Sequence, residues 1–205
     1  MKFSALSERQ IDLLREVSNI GVGNAATALS QMIGRQINMC VPSVRVLPFS
    51  QVPETVGGAE RPMAGVHCRL MGDVTGYILL IFPSASADAL VRLLLEDPDV
   101  TAAEWSKEVA SSIGEIGNIL ASAYLNALGS LLHMTLIPSI PSMAYDMAGA
   151  ILDTVLIEQS RSDDLALLIE TEFFERNETI QGHFFLVPDP DSVSLVIEEL
   201  GTARG

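Results

Sequence analysis

Two short constellations in this sequence carry residue types suited to chemistry. Asp12, Glu16 and Asn19 are followed by Pro42; Ser111, Glu115 and Asn118 are followed by Pro141. In each, the glutamate stands 3 positions before the asparagine and the proline 23 positions after it. An asparagine amide accepts through its oxygen and donates through its nitrogen, so it can hold a water in a fixed orientation. A carboxylate one helical turn away can grip a cation on a partner. No nucleophilic Ser, Cys or His is evident. There is no G-x-S-x-G elbow, and His67, His133 and His183 are isolated, so neither an acyl-enzyme nor a metal site is expected.

These groups need a helix to align them. With Asp12 at the origin, Glu16 falls at about 40°, Asn19 at about 340° and Gly23 at about 20° around a helical wheel. Leu13, Leu14, Val17 and Ile20 fall on the other side, between about 80° and 200°. The second copy repeats the stripe with Ser111, Glu115, Asn118 and Ser122. A charged stripe ordinarily just faces water. Asparagine, however, is a poor helix former and here sits in mid-helix twice, which leaves duplication or function as its reason.

The repetition extends to the whole chain. Between the two constellations the offset is 99 throughout, and Ala28 and Leu29 return as Ala127 and Leu128. The run from Gly76 to Pro83 resembles that from Gly182 to Pro188. Ser7 with Gln10, and Leu6 against Ile11, form a capping box and staple that open a helix running to about residue 33. Thr101 with Glu104, and Val100 with Trp105, predict the same opening for a helix running to about 132. Strands are expected near 37–47 and 134–140. Hairpins follow at 63–71 with 74–82, around Gly72 and Asp73, and at 165–173 with 180–187, around Arg176 and Asn177. Closing helices are expected at 84–96 and 189–200. Met143 to Glu158 reads as a further helix without a counterpart in 48–62. The expectation is one α+β domain over 1–205, a pseudo-twofold duplication of a helix–strand–strand–strand–helix unit with halves of about 1–100 and 101–205.

Composition narrows the function. Of 205 residues, 48% are apolar and 19% charged, which suits a folded chain rather than a disordered one. Twelve Lys and Arg against 26 Asp and Glu leave a net charge of −14, a poor match for nucleic acid or an anionic membrane. Residues 1–100 carry 8 basic and 10 acidic groups, and residues 101–205 carry 4 and 16, so the halves differ at −2 and −12. Cys40 and Cys68 alone make no disulfide scaffold, and a reduced, cytoplasmic setting is expected. The start MKFSALSERQ has no apolar core of a signal peptide. Ile116 to Ile137 lacks Asp, Glu, Lys and Arg but holds Asn118, Asn126 and His133, and reads as a buried helix running into a strand. Gly21 to Ala26 matches G-x-G-x-x-A, but it follows a helix and has no acid about 20 residues on; close helix packing through Gly21 is the better account. The eight methionines are scattered, as core filling requires.

The pattern Asp/Ser-x-x-x-Glu-x-x-Asn, 22 residues and then Pro resembles the signature of the CheC/CheX/FliY chemotaxis phosphatases. Two copies in a chain of this length resemble the CheC branch; CheX carries one such site and dimerises, and FliY adds a flagellar-switch domain. The resemblance covers about Leu6 to Leu200 and implies hydrolysis of the aspartyl phosphate of the response regulator CheY. It implies catalytic roles for Glu16, Asn19, Glu115 and Asn118, with Asp12, Ser111, Pro42 and Pro141 flanking. The asparagines would orient water, as a glutamine does in GTPases, and the glutamates would grip the regulator's lysine. The chain would need no cofactor of its own, since the regulator carries Mg²⁺. It would act as a monomer. Asp146 within Tyr145–Ile151 is either a first-turn acid favoured by the helix dipole or, by the same resemblance, part of a single surface for the deamidase CheD. A non-catalytic adaptor that binds CheY-P or CheD and reports signalling state is the alternative.

Overall fold

A computed structural model describes residues 6–159, 165–175 and 178–202. The expected turn at Arg176 and Asn177 lies outside the described residues. In chain order the elements are α1 (Glu8–Ile33), β1 (Asn38–Pro48), α2 (Val52–Thr55), β2 (Pro62–Gly72), β3 (Gly76–Pro83), α3 (Ser84–Leu95) and α4 (Lys107–Leu132). Then come β4 (Leu136–Pro138), β5 (Ser142–Met147), α5 (Ala148–Gln159), β6 (Leu165–Glu175), β7 (Glu178–Pro188) and α6 (Pro190–Thr202).

The fold is α+β, as expected. One antiparallel sheet runs β1-β6-β7-β3-β2-β4, with β5 also on β2. The two hairpins meet at its centre, where β3 pairs with β7. Each outer strand lies on the hairpin of the other half: β1 pairs with β6, and β5 with β2. Helices α1, α3, α4 and α6 bury Leu14, Val91, Ile116 and Val196 against one face of the sheet. Helices α2 and α5 bury Val52 and Ile151 against the other. The central strand β3 is therefore buried along its whole length, which explains its unbroken apolar run.

Local signals account for most boundaries. Ser7 caps α1 and exchanges bonds with Gln10, the expected capping box. Gly34, at φ +70°, closes the helix and returns its N–H to Ser30. Gly72, at φ +112°, takes the hairpin turn, where a Cβ would lie 2.1 Å from the Thr135 carbonyl oxygen.

Four expectations are corrected. Thr101 and Glu104 serve a separate 3-10 turn, because Trp105 adopts φ +41° and breaks the chain there. Ser106 caps α4 instead, accepting from the Val109 N–H at 3.2 Å. The strand near 134–140 is only the short β4, and the chain does not enter a helix at Met143. It resumes along β2 as β5, so β4 and β5 are one strand interrupted between Ser139 and Pro141. Ser139 bridges the gap: its N–H donates to the Arg69 carbonyl, and its Oγ accepts from the Arg69 N–H. Finally, the first half does hold a counterpart to α5, the single turn α2. Pro53 in its first turn needs no partner for a missing N–H.

Candidate functional site

Two glycines set the helices that carry the stripes. At Gly21 a Cβ would lie 3.0 Å from the Tyr124 Cα and 3.3 Å from the Ala127 Cβ, so α1 and α4 cross almost backbone to backbone. That is the close packing expected of the G-x-G-x-x-A segment. Buried Ser18 donates to the Leu14 carbonyl beside Tyr124 at the same crossing. At Gly117 a Cβ would lie 2.6 Å from the Val66 Cγ1, so the turn bearing Asn118 rests directly on β2.

With the apolar faces so fixed, Asp12, Glu16, Asn19 and Gly23 are exposed along α1. Ser111, Glu115 and Asn118 are exposed along α4, and Ser122 is half-buried. Asp12 pairs with Arg15 at 2.9 Å. At the position matching Arg15, α4 has Gly114, lying under Met143. Among the described residues no ion pair is found for Glu16 or Glu115, so both carboxylates are available to a cation. Ser111 and Glu115 also line an open groove of about 580 Å³, with Met32 of α1 and Leu93 and Leu94 of α3 as its apolar wall.

The two asparagines differ. Asn19 Oδ1 accepts from the Val41 N–H at 3.2 Å, and its Nδ2 donates to the Arg15 carbonyl at 3.0 Å. The first bond comes from the residue before Pro42, at a bulge where the β1–β6 register shifts between Cys40 and Ser43. For Asn118 no side-chain hydrogen bond is found among the described residues. Val41 is 5% exposed, whereas its counterpart Ile140, before the half-buried Pro141, is 90% exposed. The side chain of Pro42 lies outside the described residues. A structural tether for Asn19 was not foreseen from sequence. The constant asparagine-to-proline spacing was its signal.

Asp146 is exposed in β5 opposite Met63, ahead of α5 and not in its first turn. Its Oδ1 accepts from the Met147 N–H at 2.7 Å. The matching Leu47 is buried in β1. His67 and Cys68 point to opposite faces, Cys68 into the core. Burial pushes the Cys68 thiol up to about 11. Burial, then Glu172, raises Cys40, so neither thiol is poised for nucleophilic attack. Burial lowers His183, whose Nδ1 has no hydrogen-bond partner among the described residues; Glu170 opposes that shift, and Arg45 and Arg61 add to it. Among the described residues, no group of three or more His, Cys, Asp or Glu could hold a metal ion, and no helix is long and apolar enough to cross a membrane.

Comparison with known proteins places this arrangement. The profile of the CheC-like family matches residues 10–46, the span from α1 through the bulge of β1. The CheY-P phosphatase CheC of Bacillus subtilis (strain 168) is 36% identical over 205 residues, covering 98% of each chain. The flagellar motor switch phosphatase FliY of the same organism is 28% identical over 90 residues, 44% of this chain and 23% of FliY. The crystal structure of Thermotoga maritima FliY superposes with a TM-score of 0.78 at 20% identity, covering 98% of this chain and 100% of that one, and so shares the fold. Identity sustained along the whole chain, on this fold, establishes that the protein belongs to the CheC family.

Proposed function

We propose that the protein is a phosphatase acting on the aspartyl phosphate of a CheY-like response regulator. The observation that carries this reading is the pair of exposed glutamate–asparagine stripes on α1 and α4, each set on a helix whose opposite face is locked into the core. The relative named as a CheY-P phosphatase supports it. The regulator brings the acyl phosphate, its Mg²⁺ and its activating groups. Glu16 or Glu115 grips a lysine of the regulator. Asn19 or Asn118 accepts a hydrogen bond from the attacking water and donates one to a phosphoryl oxygen. Water adds to phosphorus as the bond to the aspartyl oxygen breaks, releasing the regulator's carboxylate and inorganic phosphate. Ile20, which the helical wheel put on the apolar side, is 55% exposed and offers the regulator an apolar contact.

Asp146 and the adjacent Met147, 53% exposed, support a single surface for CheD, outside the phosphatase stripes. Phosphate release from a phosphorylated receiver domain tests the catalytic reading. Asn19→Ala with Asn118→Ala abolishes the acceleration in a folded protein. Retained turnover in that double variant points instead to an adaptor that only binds the regulator.

A further inference from the structure

The bulge in β1 links the proline of the signature to the asparagine. Asn38 to Cys40 pair in register with Phe174 to Glu172, and Ser43 to Pro48 with Glu170 to Leu165. Between these stretches β1 spends two residues, Val41 and Pro42, against Thr171 alone. A proline within a ladder removes a donor, and a bulge accommodates it by releasing its neighbour from the regular pairing. The released neighbour here is Val41, and its N–H meets Asn19 Oδ1 at 3.2 Å.

We propose that Pro42 is a positioning residue for the phosphatase reaction: it enforces the bulge that turns the Val41 N–H onto Asn19 and fixes the orientation of the amide. This rests on the reading that Asn19 orients the attacking water. With Oδ1 holding Val41 and Nδ2 holding the Arg15 carbonyl, the amide plane cannot rotate without losing both bonds. One lone pair on Oδ1 and one N–H on Nδ2 remain, which is one acceptor for the water and one donor for a phosphoryl oxygen. In the first half the spacing of the signature then has a physical reason. The proline stands one residue past the N–H that the asparagine needs. In the second half, the strand break at Ser139–Pro141 falls at the same place, but among the described residues no side-chain hydrogen bond holds Asn118.

The test uses the full chain with Asn118→Ala, so that turnover reports the first site. Pro42→Ala restores a ladder donor. Replacing Val41 by its α-hydroxy acid removes the N–H and leaves Pro42 in place. In both variants kcat falls roughly tenfold or more while KM stays within about twofold, as for a misaimed group. The side-chain amide resonances of Asn19 shift in parallel. The ester variant keeps the test decisive where Pro42→Ala lowers the melting temperature. Unchanged or raised kcat in both variants overturns the proposal, even if stability falls. If Asn19→Ala in the same background leaves turnover untouched, the underlying reading of Asn19 fails, and the proposal with it.

Discussion

Replacing each signature asparagine by alanine should move stability in opposite directions. Asn19→Ala strands the Val41 N–H, a part-buried donor whose partner is the amide at 3.2 Å. Leaving such a donor unsatisfied costs about 1–2 kcal/mol, and the exposed bond to the Arg15 carbonyl adds little because water replaces it. Alanine returns up to about 0.7 kcal/mol through helix propensity. The net expectation is a loss of about 1 kcal/mol, or about 2–4 °C in melting temperature for a chain of this size. Asn118→Ala forfeits no side-chain bond seen among the described residues and keeps only the propensity gain, a rise of about 1–3 °C. Urea and thermal unfolding followed by circular dichroism measure both shifts, and phosphate release is recorded on the same samples. Equal shifts in the two variants, or a destabilised Asn118→Ala, would refute the tether at Asn19 and the open amide at Asn118.

Three further outcomes are expected. Glu16→Ala and Glu115→Ala should raise KM for the phosphorylated regulator, by an amount that shrinks with added salt, with kcat nearly unchanged; a collapsed kcat at constant KM contradicts a binding role. Gly117→Ala forces a methyl to within 2.6 Å of the stiff Val66 and should cost about 1–3 kcal/mol, with turnover at the second site falling as Asn118 moves; Val66→Ala should restore much of both, measured by unfolding and phosphate release. His183, held below its usual 6.5 by burial, binds protons more readily when unfolded, so its contribution is present above 6.5 and is lost as pH falls through the lowered value. Melting temperatures on acidification should therefore fall less in His183→Gln than in the parent, and identical pH profiles would count against this.

The local features of this protein were legible in its residues because their causes are local. Ser7 and Gln10 announce the start of α1, the 100° periodicity of Asp12, Glu16 and Asn19 announces an exposed stripe, and the run around Gly72 and Asp73 announces the first hairpin. The paired signature at a constant offset pointed to the family and to both stripes. What depends on chain segments meeting in space was not legible. The pairing of β1 with β6 and of β5 with β2 is set by which hairpin each outer strand reaches, and no alternation within a strand encodes that. Trp105 entering the left-handed region moved the cap of α4 to Ser106, although Thr101 and Glu104 spelled the same cap. Met143 to Met147 looked helical by periodicity, yet the open edge of β2 claimed them as β5, since ladder hydrogen bonds outweigh a weak local preference. The difference between Asn19 and Asn118 belongs to the tertiary structure alone: the same residue at the same spacing holds a buried valine's N–H in one half and, among the described residues, makes no side-chain hydrogen bond in the other.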